Sequence, residues 1–195
     1  MSFHAKTTFV VGLTGSMLSG KSTALAYFKA QGAGVISCDE IVRTLYTRPA
    51  VLAQVKKRLG TADKTQLAQI VFKNKAKRTV LEELLHPLIL KEVKAQLKVF
   101  TQPLVVVETP LLFEAGWEQY MDLTVAVLAD PKTLPARLKG RHITRAEFTR
   151  RTAHQLPDLQ KAACADVVFF HATKAQLKQS VTRFCHAFNL LHTVK

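Results

Sequence analysis

The stretch Gly15-Ser16-Met17-Leu18-Ser19-Gly20-Lys21-Ser22-Thr23 constrains this chain more than any other. It fits G-x-x-x-x-G-K-[ST], a loop whose backbone amides cradle polyphosphate oxygens. The motif has meaning only between a buried strand and a helix, and the flanking residues supply both. Residues 8–13 form a β-branched and apolar run, and residues 22–28 carry apolar side chains at helical spacing. With the helix dipole behind it, such a loop attracts negative charge. Lys21 is expected to reach the β- and γ-phosphates of a nucleotide, and the Ser22 hydroxyl to sit on Mg²⁺.

Residues 35–37 resume as a strand after Gly32-Ala33-Gly34, and Asp39 stands just past its end. Ligands of open α/β sheets bind outside the carboxyl ends of the strands, so this acid is a site candidate as well as a natural helix N-cap. Residues 48–100 contain no convincing strand. Segments 50–59, 65–72 and 77–100 read as helices, with a break near His86-Pro87. They form either a subdomain that covers a substrate or a structural helical layer.

Leu104–Glu108 is the clearest strand, an apolar run ending in an acid. It resembles the second, magnesium-associated strand of P-loop proteins, although any parallel sheet yields such runs. Residues 109–114 are expected to turn into a short helix, and 123–128 to form a fourth strand. Residues 132–155 carry Arg137, Arg141, Arg145, Arg150 and Arg151. They suit a lid closing over transferring phosphate, and equally a solvated basic helix. A fifth strand at 165–170 and an amphipathic helix at 173–191 complete the chain. The fold class is α/β, a five-stranded parallel sheet with helices on both faces. The domain reading is one unit: a core of about 7–47, 101–131 and 164–195, a helical substrate subdomain of about 48–100, and a lid of about 132–160.

Composition limits the function classes. About half the residues are hydrophobic (48%), so the chain is expected to be ordered. No apolar run approaches the roughly 20 residues that span a bilayer. Residues 1–6 lead into the first strand with no cleavable leader, and Cys38, Cys164 and Cys185 lie outside any C-x-x-C pair. Free thiols in a cytoplasmic protein are the expectation. The 28 Lys+Arg against 14 Asp+Glu, a net +14, favour anionic partners without choosing among nucleotides, phosphorylated metabolites and nucleic acid. No aromatic-interleaved basic stretch or nucleic-acid module stands out.

Several further motifs resemble one family across nearly the whole chain, dephospho-CoA kinase. Val35-Ile36-Ser37-Cys38-Asp39 with Arg43 is similar to its V-I-D-A-D-x-x-x-R. Asp63-Lys64 and Leu84-Leu85-His86-Pro87-Leu88-Ile89 resemble its helical-domain signature, and Pro110-Leu111-Leu112-Phe113-Glu114 matches P-L-L-F-E. Arg137, Arg141, Arg151, Gln155, Lys161 and Ala165-Asp166 follow its pattern from lid to last strand.

The resemblance implies a P-loop kinase fold with a helical substrate-binding insert and a helical lid. It also implies transfer of phosphate from ATP to the ribose 3′-hydroxyl of dephospho-CoA, with Mg²⁺. Asp39 aligns with the family's catalytic base, assisted by Lys21, Arg137 and Arg141. ATP contacts fall on Gly15 through Thr23 and on His171. Acceptor contacts fall on Asp39, Arg43, His86, Glu108, Pro110 and Leu111. Small-molecule substrates, no nucleic acid, no membrane and a monomer or small homo-oligomer follow.

The chain also departs from the pattern. Ser16 and Leu18 replace loop glycines, Ser37 replaces the first acid of D-A-D, and His171 stands where Asn is usual. A positive φ at residue 18 would strain leucine. The turn after Arg141 is one residue short. The competing readings are another small-molecule or nucleoside monophosphate P-loop kinase, a nucleic-acid-binding P-loop protein, and a non-catalytic relative.

Overall fold

The computed structural model describes residues 8–192; the N-terminal segment read as lacking a leader lies outside them. The chain divides into two compact units, Met1–Ile36 with Val99–Lys195, and Ser37–Lys98.

The first unit is built on a five-stranded parallel sheet in the order β2-β3-β1-β4-β5. Its strands are β1 (Phe9–Thr14), β2 (Gly34–Ser37), β3 (Leu104–Glu108), β4 (Leu123–Ala129) and β5 (Val167–His171). Apolar, β-branched residues fill β3 and β4 because a parallel sheet is covered on both faces. One face carries α1 (Lys21–Ala30) and α9 (Lys174–His192). There Val11, Leu13, Val125, Val127 and Phe169 pack with Phe28, Leu177, Val181 and Phe188. Phe28 stacks on Phe169 at 6.2 Å and meets Phe184 edge-on at 5.6 Å, pairs worth about 0.5–1.5 kcal/mol each beyond burial. On the other face the segment after β3 closes on Gly12, where an added Cβ would lie 2.8 Å from Met121 and 3.0 Å from Leu112.

That segment is not the expected short helix. It is a run of turns ending in a 3₁₀ turn, Trp117–Tyr120. A single helical turn forms and is stopped by Gly116 at φ 65°, with Gly116 N–H donating to Phe113 O and Trp117 N–H to Leu112 O. This is the Schellman closure that glycine favours. The arginine-rich segment after β4 folds as α6 (Leu134–Gly140) and α7 (Arg145–Thr152), followed by α8 (Asp158–Cys164), which packs beside β4. At the shortened turn after Arg141, His142 takes the left-handed conformation (φ 52°) and closes α6 in the same manner.

The second unit holds α2 (Cys38–Leu45), α3 (Pro49–Leu59), α4 (Lys64–Lys73) and α5 (Lys75–Leu97), the first three packing on the last. It begins at Ser37, ahead of residue 48, because α2 packs within it. The break anticipated at His86-Pro87 is absent, and α5 runs through Pro87. Proline there removes the donor that would bond the Glu83 carbonyl, but Leu84, Leu85, Ile89, Val93 and Leu97 are buried along the helix. Tertiary burial outweighs the local penalty. Asp39 is likewise not the cap: Ser37 Oγ accepts from Glu40 N–H, and Asp39 sits in the first turn.

Cys38, Cys164 and Cys185 are free thiols, Cys38 and Cys185 buried. Burial pushes the Cys185 thiol up to about 11.

Candidate functional site

The parallel strands bring their carboxyl ends to one edge of the sheet. There β1 delivers the chain into the loop, with Leu13 in register beside Glu108 at the end of β3. His171 closes β5 in register with Ala129 of β4. Gly15, at φ 147°, admits no side chain, since a Cβ would stand 2.4 Å from Val127 O and 2.6 Å from Ser19 Oγ. Gly20 precedes α1 at φ 105°, and a Cβ there would lie 2.9 Å from His171 Nε2. The two glycines that the motif demands are therefore fixed by steric contact as well as by backbone conformation.

Leu18 adopts φ 66°, so the strain anticipated from its replacement of glycine is present. Left-handed backbone costs a leucine about 1–2 kcal/mol. Glycine would remove that cost but loses more chain entropy on folding, about 0.5–1 kcal/mol. Leu18→Gly is therefore expected to raise stability by up to about 1.5 kcal/mol in urea unfolding, the difference of the two effects. A drop would mean that the Leu18 side chain holds the loop by packing.

Lys21, buried at the start of α1, donates from Nζ to Ser16 O at 3.0 Å. An ammonium carries three donors, so this bond is compatible with phosphate contacts. Arg137 on α6 donates from Nη1 to Leu18 O and from Nε to Thr133 Oγ1, both at 2.9 Å. Its Nη2 lies 3.5 Å from His171 Nδ1, and His171 Nε2 lies 2.7 Å from Ser19 O. A cavity of about 610 Å³ opens beside the loop, in the size range of small-molecule sites. Leu18, Gly20, Lys21, Ser22 and Thr23 line it from the loop and α1, and Arg137, Arg141, His171 and Lys174 contribute the rest of its polar lining. Cations and a helix N-terminus around one hollow suit a polyphosphate.

Among the described residues no cluster of three or more His, Cys, Asp or Glu could cage a metal. The exposed Ser22, which lines the cavity, fits an ion that arrives with phosphate and needs only a hydroxyl from the protein. Gly15, Ser16, Met17 and the buried Ser19 do not line the cavity. Glu108 is buried at the end of β3, and Pro110 and Leu111 are half-buried in the turns that follow.

Lys161 and Glu114 were visible as motif letters with no role attached. Lys161 is fully buried and donates from Nζ to Pro110 O and Glu114 Oε1, both at 2.7 Å. Glu114 Oε1 also accepts from Leu156 N–H at 2.7 Å, and Thr14 Oγ1 donates to the same Pro110 carbonyl at 3.4 Å. This clamp joins the P-L-L-F-E turn, the end of β1 and α8. Thr133, which accepts from Arg137, carries no sequence signal beyond its place four residues before that arginine.

Asp39, Arg43 and His86 belong to the helical unit. Asp39 is exposed in the first turn of α2, and Arg43 Nε donates to its backbone carbonyl at 3.3 Å. His86 is half-buried on α5, where burial lowers its pKa and nearby Glu82 opposes the shift. A histidine held below its unfolded value of about 6.5 resists protonation when folded. It therefore contributes stability above that pH, which is lost as pH falls through the folded value. We expect the His86 ring to titrate below 6.5 by NMR, and His86→Gln to flatten this part of the stability profile. Titration above 6.5 would contradict this.

The family model for dephospho-CoA kinase matches residues 9–176. A dephospho-CoA kinase of Enterococcus faecalis is 34% identical over 190 residues, covering 91% of this chain and 96% of that protein. One from Frankia casuarinae is 36% identical, covering 82% of this chain and 74% of that protein. Among solved structures, a Thermus thermophilus protein superposes with a TM-score of 0.83 at 28% identity, covering 94% of this chain and 98% of that one. A dephospho-CoA kinase from Campylobacter jejuni, at 22% identity and a TM-score of 0.65, covers 92% of this chain and 96% of its own and shares the fold.

Proposed function

The chain belongs to the dephospho-CoA kinase family, and from that premise we propose that it transfers the γ-phosphate of ATP to the ribose 3′-hydroxyl of dephospho-CoA. The observation that carries the reading is the phosphate loop sharing one cavity with Lys21, Arg137 and Arg141. Those groups supply positioning and charge, which is nearly all that phosphoryl transfer asks of a protein.

In the proposed reaction the acceptor oxygen attacks the γ-phosphorus, the bond to the β-bridging oxygen breaks, and ADP leaves. Asp39 takes the hydroxyl proton as the general base. Lys21 and the amides from Gly15 to Thr23 hold the transferring group, while Arg137 and Arg141 neutralise its developing charge. Ser22 Oγ would be the protein ligand of a Mg²⁺ that arrives with the nucleotide, and the ion would supply further neutralisation of the phosphate charge. Arg43, His86, Glu108, Pro110 and Leu111 are assigned to the acceptor side by their match to the family's motifs. Operation in the cytoplasm, as a monomer or small homo-oligomer, completes the proposal. Among the described residues no helix is long and apolar enough to cross a membrane.

The test is an assay of purified protein with Mg-ATP and dephospho-CoA, the product identified by mass. One added phosphate supports the reading. Phosphorylation of a nucleoside monophosphate with dephospho-CoA ignored would overturn it. Lys21→Ala is expected to raise the KM for ATP and to lower kcat by about 10²-fold, since its ammonium acts on ground and transition states alike.

A further inference from the structure

We propose that His171 acts on the phosphate loop and not on the nucleotide: braced by Arg137, it is a positioning residue that fixes the direction of the loop's Ser19 carbonyl. The inference rests on the reading of this cavity as a polyphosphate site.

Both ring nitrogens of His171 are engaged by the protein, and the residue is 3% exposed. A carbonyl cannot donate, so the 2.7 Å contact with Ser19 O requires the proton on Nε2. In that neutral tautomer Nδ1 is an acceptor, and Arg137 Nη2 is the donor that faces it at 3.5 Å. Arg137 is itself fixed by Thr133 and donates to Leu18 O. Hydrogen bonds thus run from Arg137 through His171 to Ser19, with a branch to Leu18.

A trans peptide unit is planar, with C=O and the next N–H pointing in opposite directions. Anchoring a carbonyl therefore aims the amide that follows it. His171 on Ser19 O aims the Gly20 amide away from the ring, and Gly20 is among the residues that line the cavity read as the polyphosphate site. Arg137 on Leu18 O aims the Ser19 amide, which donates to Ser16 O at 3.1 Å and closes the turn of the loop. The brace also holds Leu18 at φ 66°, a conformation that leucine does not favour. Where the family's glycine makes that backbone easy, this chain fixes a strained residue by a bond to its carbonyl.

A residue that acts through the loop affects everything the loop binds. One that touches the base or ribose affects only ligands that carry them. Calorimetric titrations with Mg-ATP and with inorganic tripolyphosphate plus Mg²⁺ separate the two. We expect His171→Ala to weaken both ligands by a common factor of about tenfold, the loss of one buried hydrogen-bonding partner. His171→Gln, which can present an N–H at similar reach, should recover most of it.

In the wild-type protein, long-range ¹H–¹⁵N NMR spectra should show the neutral Nε2-protonated tautomer, a readout that holds even if His171→Ala fails to fold. Loss of ATP affinity with tripolyphosphate binding unchanged would overturn the proposal in favour of direct contact. Unchanged affinity for both, or an Nδ1-protonated ring, would also overturn it. No acceptor is present in these titrations, so failure of dephospho-CoA turnover is a separate result. Wild-type protein that binds neither polyphosphate would defeat both readings.

Discussion

Asp39→Asn is expected to leave the fold and Mg-ATP binding intact while turnover falls by about 10³-fold, the usual range for removal of the general base that Asp39 is proposed to be. Asparagine matches aspartate in shape but cannot accept the proton released as the acceptor oxygen attacks. The structure makes this a clean substitution. Asp39 is exposed in the first turn of α2, and the helix is capped by Ser37, so no cap is lost. Glu40 keeps a negative charge in the same turn, which limits the loss of helix-dipole stabilisation to a few tenths of a kcal/mol. Single-turnover kinetics with saturating ATP separate chemistry from binding. Near-normal turnover would remove Asp39 from the base role.

Lys161→Ala should be the most destabilising single change proposed here, costing about 3–5 kcal/mol in urea unfolding. The ammonium is fully buried against Glu114, whose side chain is 15% exposed, and against the Pro110 carbonyl. Deleting it leaves a largely buried carboxylate facing lost partners, and that uncompensated charge carries most of the cost. Pairing the change with Glu114→Gln should recover part of the loss, because the two residues form one network and their effects do not add. A cost near that of a surface pair, below about 1 kcal/mol, would show that water reaches the site.

Much of this was legible in the chain itself. The strand Leu104–Glu108, the loop and its helix, and the β-α alternation follow from apolar runs and glycine placement, which are local signals. What was not legible depends on distant partners. The helix through Pro87 is held by five buried apolar residues that outweigh a local breaker. Asp39 and Ser37 are both good caps by composition, and only the backbone decides between them. The clamp from Lys161 to Glu114 spans 47 positions, and the contact of His171 with Ser19 spans 152. No periodicity encodes such pairs. The strain at Leu18 was foreseeable because it is written in one residue's conformational preferences.

The helical unit is one uninterrupted stretch of chain, Ser37–Lys98, inserted between β2 and β3, which are neighbours in the sheet. Its two points of attachment are therefore the end of one strand and the approach to the next. A lineage can lengthen, shorten or replace such a cassette without rewiring the strands that carry the phosphate loop. On the proposed assignment of the acceptor to this unit, grafting the corresponding stretch from a relative with another acceptor onto this sheet should alter selectivity while leaving the phosphate loop as it is.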